Sequence, residues 1–243
     1  MNTSLSIFAK ALASENLSFS FSSKAETASF DVKSRHLVMP IWKVSETVQT
    51  MLIAHEISHA LWTPYELSRT LLDAAEAEGY KIDKLQRIAN MIEDVRIEKL
   101  MKQKFPGTRR DFFLGYKEIN DLDLFQFNTL DLSAMTLNSR LNIHFKWGVP
   151  GFIDVKLSEQ EQEIAAMVDS VVSFEQCIEL AKYLYGDPDG DGKKQEVKEK
   201  NKGEALGNVA DGSQDPSFDK MLSGLASRKG SPLASTTVVI GGV

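Results

Sequence analysis

The chain has 243 residues, of which 42% are hydrophobic and 26% charged, with a net charge of −6 at pH 7. This balance fits one sizeable globular domain, or a domain plus a tail. It speaks against a dedicated nucleic-acid binder, which needs surplus Lys and Arg to displace counterions. Cys177 is the only cysteine, so no intrachain disulfide can form, and a reducing, cytoplasmic setting is expected.

In chain order, Leu5, Phe8, Ala9 and Leu12 recur at helical spacing over residues 5–14. This opening has no basic segment followed by an apolar run, so a signal peptide is not expected. Strand-like runs over 26–32 and 36–42 read as a hairpin around Lys33, Ser34 and Arg35. A long helix is predicted from Ser45 to Trp62, ended by Pro64, whose ring disfavours helical geometry in the residue before it. A second helix covers 65–78 and stops at Gly79. A third, with Asp83 as N-cap and Gln86 three residues on, runs to Phe105-Pro106-Gly107. Further helices are predicted at 110–120, 131–146, 159–172 with Ser158 as cap, and 174–185 with Ser173 and Gln176 as a capping box. No run approaches the roughly 18 apolar residues of a membrane span.

The pattern predicts a mainly α chain with a small β-hairpin or sheet, an α+β fold spanning 1–185. From Gly186 the composition turns to Gly, Asp, Lys, Glu and Ser, which is expected to be a flexible acidic and polar tail over 186–243. Residues 236–240 read as a strand with no evident partner, as though a further domain followed. Asp187-Pro-Asp-Gly-Asp-Gly copies the first half of a calcium loop, but Lys198 falls where that loop needs a bidentate Glu. It is read as linker.

The chemistry concentrates in His55-Glu56-Ile57-Ser58-His59. Residues four apart on a helix share a face, so both imidazoles can reach one metal ion. Glu56 is then placed as the general base for water activated by zinc, the chemistry of zinc peptidases. Val48, Met51, Leu52 and Trp62 accompany the histidines, while Ile53, Ile57 and Leu61 cover the opposite side. A helix apolar on both sides is buried. Burying two His and a Glu without partners costs several kcal/mol, and a metal is the simplest partner.

A catalytic zinc needs a third protein ligand and an open fourth position. The metzincin continuation would place Gly at position 62 and His at 65, where this chain has Trp62 and Tyr65. The remaining source is a carboxylate on the third helix, where Glu93, Asp94 and Glu98 are candidates. Helical geometry alone does not choose among them; Glu93 is preferred and Asp94 is the alternative. The competing reading makes them solvated charges with Arg96 and Lys99 as surface partners.

The segments His-Glu-Ile-Ser-His-Ala-Leu-Trp-Thr-Pro (55–64) and Asn-Met-Ile-Glu-Asp-Val-Arg-Ile-Glu (90–98) together resemble a family. They are similar to zinc metallopeptidase domains of tailed-phage and bacterial proteins that often precede a von Willebrand A domain. Examples are cobaltochelatase large-subunit and nitric-oxide-reductase-activation type proteins. The resemblance covers residues 1–185, although no von Willebrand A domain is recognisable. It implies a zincin-like, gluzincin-type core with Zn2+ held by His55, His59 and a carboxylate from Glu93-Asp94, and Glu56 as base. It also implies an edge strand that could take an extended peptide.

His144, Tyr65 and Arg140 are weaker candidates for transition-state donors. The expected partners are a peptide or protein substrate and a possible further protein, with neither nucleic acid nor membrane. The expected location is the cytoplasm, that of the host for a phage protein. The alternatives to a peptidase are a non-catalytic zinc-stabilised interaction scaffold and a metal-free helical interaction module.

Overall fold

A computed structural model describes residues 8–11, 13, 18–23, 28–31, 34–40, 44–123, 125 and 127–186. The expected tail from 187 onward, its strand and its calcium-loop-like segment lie outside the described residues. The chain is mainly helical with one small three-stranded sheet.

The sheet holds β1 (Ser18–Ser22), β2 (Ser29–Asp31) and β3 (His36–Pro40) in the order β1-β3-β2. β2 and β3 pair antiparallel, as the hairpin reading expected, with a shorter first strand. Arg35 supports the reversal with a positive φ of 53°. β1 was not expected. It pairs parallel to β3, placing Phe19 opposite Leu37 and Phe21 opposite Met39. Its Ser-Phe-Ser-Phe-Ser alternation is a period-two signal too short to stand out. The His36 ring bridges Ser18 Oγ at 2.6 Å and Ser20 Oγ at 2.8 Å, tying the two strands together.

Helix α1 (Glu46–Trp62) begins at Ser45, whose hydroxyl accepts from the Val48 amide. It ends at Thr63, held extended before Pro64. Helix α2 (Tyr65–Ala77) is followed by Gly79 at φ 96°, a conformation that suits a residue without a Cβ. Helix α3 (Ile82–Lys104) starts two residues earlier than Asp83 as N-cap would set it, and Lys81 at its N-cap makes no side-chain bond. Helix α4 spans Thr108–Asp121.

The helix predicted over 131–146 is instead three pieces. A 3₁₀ turn (Leu132–Ala134) gives way at Met135 to extended backbone, and Thr136 caps a new helix α5 (Leu137–Ile143). This continues as a π-helical turn over His144–Gly148. The Thr136 hydroxyl accepts from the Ser139 amide, an N-cap that competes with continued helix. Helices α6 (Glu159–Ser170) and α7 (Phe174–Gly186) follow the sequence reading closely, with the Ser158–Glu161 capping box in place. Ser173 and Gln176 exchange the two bonds expected of theirs.

Two apolar clusters result. One joins the sheet, α1, α4 and Trp147; the other joins α2, α3, α5, α6 and α7. Helix α1 packs closely on α4 because Gly115 leaves room: a Cβ there would lie 2.6 Å from Met51 Cβ. Helix α3 contributes to both clusters, through Met101 to the first and Leu85, Ile88 and Ile92 to the second. The seam between them is where α1 faces the middle of α3. Among the described residues, no helix is long and apolar enough to cross a membrane.

Candidate metal centre

At this seam the first two functional candidates come from one helix. His55 and His59 stand one turn apart on α1, with ring centroids 5.1 Å apart and planes at 80°. From α3, Asp94 reaches toward both. Its Oδ1 lies 3.3 Å from His59 Nε2 and 3.8 Å from His55 Nε2. One donor atom from each of the three residues falls within 4.8 Å of the others, so the group could hold a metal ion. With metal–ligand distances of roughly 2.0–2.1 Å, the edge of a tetrahedron is about 3.4 Å. The two carboxylate–imidazole separations lie close to that value.

The surroundings set which nitrogen of each imidazole carries a proton. Glu98 Oε1 sits 3.1 Å from His55 Nδ1. Burial alone would raise the Glu98 carboxyl, but Lys102 and Lys146 hold it well below its ordinary range. An ionised carboxylate only accepts, so His55 Nδ1 is the donor. At His59, Nδ1 is 3.0 Å from Thr63 Oγ1, and that hydroxyl donates to Glu93 Oε1 at 2.6 Å. With its proton committed to Glu93, the Thr63 oxygen accepts from His59 Nδ1. Both imidazoles therefore have Nδ1 protonated and present Nε2 toward Asp94. Outer carboxylates orient metal-binding histidines in the same manner. The donor set fits a divalent ion.

Without a metal the same point holds a proton. Burial pulls the His59 pKa down, but its hydrogen bond with Asp94 and the charges of Asp94, Glu56 and Glu93 raise it to about 9. A metal ion entering here displaces that proton. Burial likewise pushes the Asp94 carboxyl up, and Lys146 with the two histidines overrides it, leaving the group lowered. His59 is the exposed member, with a quarter of its side chain open to solvent against 1% for His55. Access to the centre is from the His59 side.

Glu93, the preferred third ligand from sequence, is not part of this group. It pairs with Arg96, through Nε to Oε2 and Nη2 to Oε1, both at 2.7 Å. Thr63 donates to Oε1, and Cys177 Sγ to Oε2 at 3.3 Å. The roughly four acceptor positions of a carboxylate are then taken. Asp94, the alternative, supplies the oxygen instead. The surface-charge reading fails for the whole segment: Glu93, Asp94, Arg96 and Glu98 are all at most 7% exposed. Arg96 also donates to the Trp62 carbonyl at 2.8 Å, which locks the end of α1 to α3.

Glu56 is buried on α1, one residue from His55, and its charge acts on His59. Lys146 is the residue that sequence reasoning missed. It lies on the π-helical turn at 2% exposure, with Nζ 3.0 Å from Asp94 Oδ2 and 3.3 Å from Glu98 Oε1. Burial would lower its pKa, but those two carboxylates raise it, so it stays charged. The only hint in the sequence was its place between Phe145 and Trp147. Tyr116 joins the network, donating to Glu98 Oε1 at 2.5 Å.

The weaker candidates do not join the His55–His59–Asp94 group. Arg140 pairs with Glu161 on α6. His144 stacks edge-on with Phe145, and partial burial lowers its pKa. Tyr65 opens α2, where its backbone carbonyl accepts from Ser68. No protein-family model matches the chain, and neither a curated protein nor a solved structure matches it.

Proposed function

We propose that the chain is a zinc-dependent peptidase with a zincin-like core. His55, His59 and Asp94 are its ligands and Glu56 is the general base. The observation that carries this reading is the pair of Nε2 atoms aimed at Asp94, each with its Nδ1 proton held by a separate outer group. A proton relay within a core needs only one such histidine. Two with matched tautomers suit a cation.

Zinc bound there would polarise the peptide carbonyl and lower the pKa of water to about 7. The chain's own residues do the rest. Glu98 and Thr63 hold the Nδ1 protons and so orient the two imidazoles. Lys146 occupies Asp94 Oδ2, which leaves Oδ1 alone for the ligand role. Glu56 takes the proton from water during attack on the carbonyl and passes it to the leaving amine. The opening at His59 is the side from which a peptide reaches the ion.

Glu56→Gln tests the reading. The variant should hold one zinc per chain and lose peptide hydrolysis, and unchanged turnover would refute the assignment. A second reading, a zinc-stabilised scaffold without activity, is favoured by the closure of most of the centre, with His55 at 1% and Asp94 at 7% exposure. A wild-type chain that binds zinc yet cleaves no member of a broad peptide library would select it.

A further inference from the structure

Beside the centre, where α3, the π-helical turn and the start of α4 meet, lies a cavity of about 270 Å³. Asp94 lines it and the two histidines do not, so one carboxylate is shared between cavity and centre. The floor is a set of paired charges, buried except for the partly exposed Lys102. Lys146 Nζ sits between Asp94 Oδ2 and Glu98 Oε1, and Lys102 takes Glu98 Oε2 at 2.9 Å. At the rim Lys99 meets Asp169 at 3.1 Å, an exposed pair of the kind that contributes little.

Arg109 is different. It stands in the first turn of α4, and its Nε donates to the Lys102 carbonyl at 3.0 Å. That bond fixes the guanidinium plane, and among the described residues Arg109 forms no ion pair with a carboxylate. The lining as a whole carries four cations (Lys99, Lys102, Arg109, Lys146) against three carboxylates (Asp94, Glu98, Asp169). The cavity is thus positive, with its one unmatched cation already oriented.

We propose that this cavity is a subsite for a carboxylate of the substrate, held through the terminal nitrogens of Arg109. A guanidinium fork matches the two oxygens of a carboxylate, whereas an ammonium offers only a point charge. Phe145 and Val149 supply apolar wall for the methylenes that would carry such a group. The volume falls just under the roughly 300 Å³ at which pockets begin to enclose drug-sized ligands, so it suits one side chain or one chain end. That the carboxylate belongs to a substrate rests on the peptidase reading; that the cavity binds one does not. An acidic side chain and a C-terminal carboxylate share this chemistry.

The test is fluorescence anisotropy of labelled octapeptides on the full chain, zinc-loaded and zinc-stripped. The first peptide carries an internal Glu and an amidated end, the second Gln and an amidated end, the third Gln and a free C-terminus. One carboxylate peptide, or both, should bind roughly tenfold more tightly than the neutral one. Which of them does so identifies the source. Arg109→Gln should abolish the discrimination and leave zinc content unchanged, while Arg109→Lys should recover part of it. Because Arg109 is exposed, these variants are expected to melt with the wild type. Equal binding of the three peptides, no measurable binding, or discrimination that survives Arg109→Gln overturns the proposal. Selective, Arg109-dependent binding without any cleavage would keep the subsite and remove the peptidase reading.

Discussion

On α1 the two histidines stand one turn apart and meet at one point, whereas on α3 the adjacent Glu93 and Asp94 serve different partners. His55 and His59 need only a helix to share a face. Successive residues on a helix point about 100° apart, so Glu93 and Asp94 necessarily diverge. Glu93 turns to Arg96, Thr63 and Cys177, and Asp94 turns to the histidines and Lys146. Two carboxylates of nearly the same chemistry thereby split into a structural clamp and a candidate ligand. What separates them is the neighbour each meets.

The sharpest break of this comparison is to exchange the roles. Asp94→Ala should lose zinc by more than the roughly 10–100-fold that loss of an outer partner costs. Metal analysis after dialysis measures it, and retention of a full zinc equivalent would return the ligand role to Glu93. Glu93→Gln should do the opposite. It should keep zinc stoichiometry but lose about 3–5 kcal/mol in denaturant unfolding of the zinc-free chain, because Arg96 is left as an uncompensated buried charge.

Smaller effects probe what holds the two helices in place. Gly115→Ala forces Met51, one turn before His55, away from α4. An overpacked contact of this kind should cost about 1–3 kcal/mol in thermal or urea unfolding. A neutral result would mean that Met51 has room to move and that α1 is not pinned there. Thr63→Val removes the hydroxyl that links His59 Nδ1 to Glu93. Zinc affinity should fall about tenfold, near 1.4 kcal/mol, read by competition with a chelator of known affinity. An unchanged affinity would show that the tautomer of His59 is set without Thr63.

Much of this was legible before folding. The spacing of His55 and His59, the apolar cover on both sides of α1, and Ser45 and Pro64 at its ends are local facts, and a helix obeys local rules. The same holds for Ser158 as the cap of α6 and for the Ser173–Gln176 box of α7. Where several local options compete, spacing alone does not decide. The stretch 131–146 has helical spacing, but Thr136 offers a cap inside it, and the chain divides there into separate turns. Strand β1 gained its identity from β3, a partner 18 residues away, rather than from its own five residues.

The sequence by itself determined that two imidazoles share one face of a buried helix with Glu56 between them, because helical periodicity fixes that regardless of what surrounds it. Only the tertiary structure decided that Asp94 completes the group, that Glu98 and Thr63 hold the Nδ1 protons, and that Lys146 charges the floor. Those choices depend on distances between side chains up to 52 residues apart. Buried charges take whichever partner packing brings within hydrogen-bonding reach, and helical periodicity carries no information about that partner.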